Sequence, residues 1–193
     1  GQNADGQDQY GPSGASVWTT PAIDAKRNRI YIGTGENLTH PATDTSDAII
    51  ALELETGAMA WRFQATTGDV WNAACLNGGA NCPHDPGGDF DFGASVIIAD
   101  RPDGSQVLLA GQKSGEVFAL DPAANGAVLW RNRISLGTTN GGIHWGMALS
   151  GERLIVPVAD PERERPDYTP RPGLYVLDVA SGAVLWQQPV ARG

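Results

Sequence analysis

One phrase occurs three times in this 193-residue chain, and it limits the possible folds more than any other feature. "DAIIALELETGAMAWRF" (Asp47 to Phe63), "GEVFALDPAANGAVLWRNRI" (Gly115 to Ile134) and "GLYVLDVASGAVLWQQPV" (Gly173 to Val190) share one grammar. An apolar strand-like run leads into a turn containing Gly57, Gly126 or Gly182, and a Trp follows the Gly at a fixed distance (Trp61, Trp130, Trp186). Two β-rich runs joined by a glycine turn predict a hairpin, with the glycine supplying the positive-φ position.

Each phrase follows a second strand pair. "WTTPAIDAKRNRIYIGTG" turns at Asp24–Asn28, "GASVIIADRPDGSQVLLAGQ" at Pro-Asp-Gly, and "GMALSGERLIVPVA" at Ser-Gly. Four short antiparallel strands per unit predict propeller blades, over about 16–64, 93–134 and 143–190 of a single domain. The Trp spacings are 69 and 56 residues. They exceed the roughly 40–45 residues of a blade, so insertions are expected in loops, where function tends to reside. The three Trp side chains are expected to wedge one blade against the next. Three blades do not close a ring of roughly 4–8. The strandless opening "GQNADGQDQYGPSGAS" and the ending "QQPVARG" read as cuts through a longer protein.

Composition narrows the partners. A formal net charge of −9 with dispersed acids argues against nucleic acid, which needs clustered Lys and Arg. No apolar run approaches the roughly 20 residues of a membrane-spanning helix. The mixed-charge run "DPERERPDY" (Asp160 to Tyr168) reads as a solvated loop. Cys75 and Cys82 share one Gly- and Asn-rich loop, which favours a disulfide and an oxidising compartment over a zinc site, since only His84 lies nearby.

"ALELETGAMAW" resembles the tryptophan-docking repeat of pyrroloquinoline quinone (PQQ) proteins, whose signature fold is an eight-bladed propeller. The resemblance implies an all-β partial propeller of about three four-stranded antiparallel blades. Non-catalytic scaffolds share the repeat, so the segments between repeats must decide the activity. "SGASVWTTPAIDAKRNRIYIGTGEN" resembles the stretch of quinoprotein alcohol dehydrogenases that supplies a Trp beneath the cofactor and then a calcium ligand: Trp18, and Glu36 with Asn37 after it. "GDFDFGAS" resembles the segment with the catalytic Asp, here Asp91, which also stands as a metal ligand. "AGQKSGEVFALD" places Lys113 where a basic residue reaches the quinone, and "GGIHWGMA" adds His144 and Trp145 on the cofactor side. "GDVWNAAC", the Cys loop and "DFDFGAS" together look most like the polyvinyl alcohol dehydrogenase branch, secreted or periplasmic quinohaemoproteins.

The resemblance therefore implies an oxidoreductase acting on secondary alcohols, polymeric ones among them, with PQQ and Ca²⁺, and passing electrons to cytochrome c or a dye. Cys-x-x-Cys-His is absent, so haem c is expected only outside these residues. The chemistry explains the residue types. A flat indole stacks on a planar quinone, a hard cation takes oxygen ligands, an ammonium offsets charge developing on a quinone oxygen, and a carboxylate removes an alcohol proton. Asp69 and Asn72 in "GDVWN" are rival positions for the base, and either Asp89 or Asp91 could merely cap a turn. His40 and His84 are expected at the surface. The alternative is a propeller that only binds protein partners. A nicotinamide enzyme is disfavoured, because no GxGxxG follows a strand and opens a helix.

Overall fold

The computed structural model describes residues 1–3, 5–160 and 166–190. Twelve strands form three four-stranded antiparallel sheets. The first holds β1 (Ala22–Asp24), β2 (Arg29–Gly33), β3 (Ala48–Glu53) and β4 (Met59–Gln64). The second holds β5 (Ile97–Asp100), β6 (Gln106–Gly111), β7 (Glu116–Asp121) and β8 (Ala127–Arg133). The third holds β9 (Ala148–Ser150), β10 (Arg153–Val158), β11 (Gly173–Asp178) and β12 (Val184–Pro189). Each sheet runs in chain order, and the first strands β1, β5 and β9 lie next to one another. Helix among the described residues is limited to two short 3₁₀ turns, Ala73–Asn77 and Pro122–Ala124, and no helix there is long and apolar enough to cross a membrane. The strands begin several residues after the expected blade starts at 16, 93 and 143, because the residues before them belong to the connections.

Alternation along the strands builds two cores. Leu108, Ala110, Phe118 and Leu120 of the second sheet pack on Tyr31, Ile49, Ala51 and Trp61 of the first. Val107, Leu109, Val117 and Ala119 point the other way, onto Leu154, Val156, Tyr175 and Leu177 of the third. The middle sheet is thus covered on both faces, which explains why "VLLA" is apolar at every position rather than at alternate ones.

The Trp wedges follow the expected pattern at two positions. A Cβ on Gly126 would lie 2.6 Å from the Trp61 ring, and one on Gly182 would lie 2.4 Å from the Trp130 ring. Each Trp of one sheet therefore docks on the glycine turn of the next, and only a residue without a side chain admits it. The Trp130 indole N–H also donates to the Val179 carbonyl at 2.9 Å. Trp61 is only 9% exposed, whereas Trp186 is 48% exposed, with no further sheet against it among the described residues. The ladder slips by one residue opposite each of these tryptophans, with Ala60, Leu129 and Leu185 as the extra residues.

In the Asp160 to Tyr168 run, Pro166 and Asp167 are exposed as expected of a solvated loop, whereas its first residue departs from that expectation. Asp160 is buried and accepts hydrogen bonds from the Tyr168 hydroxyl and the Arg171 N–H. Residues 161–165 lie outside the described residues.

Candidate functional site

Antiparallel strands alternate direction, so the connections fall into two sets. The hairpin turns β1–β2, β3–β4, β5–β6, β7–β8, β9–β10 and β11–β12 lie at one end. Connections β2–β3, β4–β5, β6–β7, β8–β9 and β10–β11 lie at the other. Every candidate residue but one sits on a connection at this second end: Glu36 and Asn37 on β2–β3, Asp91 on β4–β5, Lys113 on β6–β7, and His144 and Trp145 on β8–β9. Trp18 comes from the segment before β1 and joins them.

Lys113 is the centre of the group. Its Nζ lies 2.9 Å from Asp89 Oδ1 and 2.7 Å from Asp91 Oδ2, with all three side chains buried. Its backbone N–H donates to the Asp91 carbonyl at 3.0 Å. Asp91 Oδ1 accepts the Glu36 N–H at 3.0 Å, so the acid segment is fixed to β2–β3 and β6–β7 at once. Glycine makes this approach possible: a Cβ on Gly35 would stand 2.4 Å from Asp91 Oδ1. Gly93 is equally confined, between the Trp18 ring and the His144 carbonyl. Lys113 Nζ lies 5.7 Å from the Trp18 ring centroid. Trp18 meets the His144 and Trp145 rings edge-on at 5.9 and 5.8 Å, and His144 stacks on Trp145 at 4.5 Å. Trp18 is 38% exposed and Trp145 80% exposed, so both offer open aromatic surface beside the charged group.

The electrostatics sort these groups by state. Burial pushes Asp91 up, but hydrogen bonds to Glu36 and Lys113 outweigh it and leave its carboxyl below the usual range. Glu36 is driven the other way, to about 9, by burial first and then by Asp91. Burial raises Asp89 to about 6 against the pull of Lys113. Lys113 is raised, because its two carboxylate partners overcome its own desolvation. Burial, and then the Lys113 ammonium, hold His144 below its ordinary value. The shifts run in opposite directions, favouring the charged forms of Asp91 and Lys113 and the neutral form of Glu36.

Oxygen atoms of Glu36, Asp89 and Asp91 come within 4.8 Å of one another. Three carboxylates at that spacing fit a hard cation such as Ca²⁺. Asn37 is placed differently from Glu36. Its Oδ1 accepts the Thr43 N–H at 2.7 Å and is 3.1 Å from the Thr43 hydroxyl, so its ligand atom faces its own loop, while its Nδ2 is buried without a partner.

Three further acids lie at this end: Asp69, a rival position for the base, Asp89, the neighbour weighed against Asp91, and Asp47, which no sequence signal marked. Asp89 reaches Lys113 Nζ at 2.9 Å from a left-handed backbone position (φ 56°), which no strand-face spacing marks. Asp69 is buried beneath the acid segment. Asp47 is fully buried with neither oxygen hydrogen-bonded, and burial followed by the charges of Asp69, Asp91 and Asp89 raises it to about 9. Asn72 caps the 3₁₀ turn Ala73–Asn77, and its amide donates to the Leu38 and Asn81 carbonyls, which is a structural role. Cys75 and Cys82 are joined as a disulfide across that turn. His40 and His84 are exposed.

Comparison with known proteins points the same way as this arrangement. Residues 1–75 match the PQQ family described as glucose/ethanol/alcohol dehydrogenase, beta-propeller domain. The chain is 40% identical over 187 residues to a polyvinylalcohol dehydrogenase of Sphingopyxis sp. (strain 113P3), covering 95% of this chain and 28% of that protein. It thus spans less than a third of that relative's length. Among solved structures, the quinohemoprotein alcohol dehydrogenase of Comamonas testosteroni superposes with a TM-score of 0.67 at 18% identity, over 92% of this chain and 35% of that one. BamB of Moraxella catarrhalis superposes with 0.51 at 22% identity, over 90% and 38%. At such identities the two structures speak for the fold alone. The docked tryptophans, the sheet order and the sequence match agree, and the chain belongs to the PQQ-type quinoprotein β-propeller family.

Proposed function

We propose that the natural protein carrying these blades is a PQQ- and Ca²⁺-dependent dehydrogenase of secondary alcohols, including polymeric ones. The observation that carries this reading is the meeting of Asp91, Lys113 and Glu36 beside the half-open face of Trp18. Protein-binding propellers have no need to bury several acids and a lysine at one end, and each such group is costly without a role.

The residues present suit both groups. Glu36, Asp89 and Asp91 supply hard oxygen ligands for Ca²⁺. Trp18 and Trp145 supply stacking area for a planar quinone, and Lys113 supplies positive charge for its oxygens. When bound, PQQ supplies the hydride-accepting quinone, and Ca²⁺ polarises it as a Lewis acid. Asp91, ionised and fixed at both oxygens, accepts the hydroxyl proton of the alcohol. Lys113 holds Asp91 in place and stabilises negative charge developing beside it. The aromatic group of Trp18, His144 and Trp145 orients the reactants.

We further propose that electrons leave to a cytochrome c or an artificial dye, and that the protein works in the periplasm or outside the cell. The Cys75–Cys82 disulfide supports that location. The test is dye-linked oxidation of a secondary alcohol by the full natural chain. Turnover is expected only with both PQQ and Ca²⁺ added. Turnover without PQQ, or none with both, overturns the reading.

A further inference from the structure

Resting on that reading of the site, we propose that Asp69 is a positioning residue that holds the acid segment 89–91 in register with the Glu36–Asn37 segment. Asp69 lies near the start of the β4–β5 connection and is 2% exposed. Its carboxylate accepts the Phe90 N–H at 2.9 Å and the Asp89 N–H at 3.3 Å. Its own carbonyl accepts the Asn37 N–H at 3.3 Å, and the Trp71 N–H returns a bond to the Asn37 carbonyl at 2.9 Å. A Cβ on Gly87 would stand 1.9 Å from Asp69 Oδ1, so the chain there passes directly over the carboxylate. One residue is therefore bonded through its side chain to the acid segment and through its backbone to the segment that carries Glu36.

The chemistry of the contact explains why an acid is needed. Two N–H groups converge on this side chain, and a carboxylate accepts both with charge-assisted strength. The groups it holds are those around Asp89, whose φ of 56° is unfavourable for a residue with a side chain. Without Asp69, that backbone is free to relax toward a common conformation. The oxygens of Asp89 and Asp91 would then move relative to Glu36. Among the described residues Asp69 makes no hydrogen bond to Lys113 or Glu36, so beyond the pull between its charge and Lys113 its effect on them runs through the segment it anchors.

The experiment uses the full natural chain, with Asp69→Ala and Asp69→Asn. Calorimetric titration of the metal-free protein with Ca²⁺ gives a readout independent of turnover, and dye-linked kinetics gives a second. Outer partners of metal ligands typically contribute about 10–100-fold, so Asp69→Ala is expected to weaken Ca²⁺ binding and lower kcat by at least about 10-fold each. KM should change far less than kcat, because substrate binding is not what the segment controls. Asp69→Asn keeps one acceptor oxygen and should fall between the two. A lowered melting temperature with Ca²⁺ affinity and kcat near wild type would make Asp69 merely structural and overturn the proposal. If Asp69→Ala does not fold, the near-isosteric Asp69→Asn decides by the same criterion. Wild-type protein that binds Ca²⁺ but oxidises no alcohol would sink the dehydrogenase reading alone, and the Ca²⁺ affinities would still decide the role of Asp69. Wild-type protein that binds no Ca²⁺ would overturn both.

Discussion

Asp24 and Asp47 are both buried aspartates, and each sits beside a strand of the first sheet, but at opposite ends of it. Asp24 closes the β1–β2 turn. It accepts the Lys26 and Arg27 N–H groups, the Arg27 guanidinium at 2.9 Å and the Tyr31 hydroxyl at 3.1 Å. Burial pushes its carboxyl up, but these bonds win and leave it lowered. Asp47 closes the β2–β3 connection with no partner for either oxygen, and is raised to about 9. The pair stands for the two ends of the molecule. At the turn end, connections are two to five residues long, and the acids Asp24, Asp103, Asp121 and Asp178 accept bonds from their own turns. At the loop end, connections of up to 32 residues bring together Glu36, Asp47, Asp69, Asp89, Asp91 and Lys113, more acid than the one lysine neutralises. Buried charge is matched at the first end and in excess at the second, where perturbed groups gather in the way expected of a candidate site.

If that division holds, changes at the two ends should fail in different ways. The largest effect is expected from Asp91→Asn in the full natural chain. Loss of a general base is worth about 10²–10⁴-fold, so kcat in a dye-linked assay should fall by at least the lower figure, with the melting temperature nearly unchanged. Turnover within a few-fold of wild type would move the base elsewhere.

Trp61→Ala should do the reverse. Removing a buried aromatic typically costs about 3–5 kcal/mol, which denaturant unfolding should detect, and the fraction still folded should keep its Ca²⁺ affinity. A loss of Ca²⁺ affinity out of proportion to unfolding would break the separation of the ends.

Asp47 sharpens the comparison through pH. In the native state its carboxyl keeps a proton up to about 9, whereas the unfolded chain releases it near the ordinary value of about 4. The native form therefore binds more protons between those values, and stability should fall as pH rises through that window. Asp69, Asp91 and Asp89 oppose its ionisation, and Lys113 favours it. Asp47→Asn should narrow the difference in denaturant midpoint between pH 5 and pH 8. An unchanged difference would mean that Asp47 has a partner in solution.

The smallest effect belongs to Trp186→Ala in the 193-residue chain. The residue repeats the Trp61 motif but is 48% exposed, and surface changes usually stay within about 0.5 kcal/mol. A cost like that of Trp61 would show that Trp186 is covered in solution.

The same division explains what could be read from the sequence. The turn end was legible, because a hairpin is a local object: Gly57, Gly126 and Gly182 mark its turns, and the Trp four positions on marks the wedge. At the loop end, Trp18, Lys113 and Asp91 were singled out only through resemblance, and the structure brings them together from three separate segments. Asp69 was no more than a rival base, since the N–H groups it accepts lie 20 and 21 residues away and no spacing rule reaches that far. Asn37 was counted among possible metal ligands, but Thr43 of its own loop claims its oxygen. Asp160 was read with its solvated run, because charge density says nothing of one buried residue at the run's start.

The one-residue slip opposite each docking Trp has a consequence for how these blades tolerate insertion and deletion. A strand has parity: successive side chains point to alternate faces, and removing one residue exchanges the faces of everything beyond it. Ala60, Leu129 and Leu185 each shift that count by one, immediately before the Trp that crosses to the neighbouring sheet. Deleting Ala60 would restore a regular ladder and improve the local hydrogen bonding of β3 and β4. It would also turn Trp61 or the residues before it to the wrong side, and the gap above Gly126 would be left unfilled. A change that idealises one sheet would thus disconnect it from the next, so blade length can drift freely in the loops but not by a single residue at these three places.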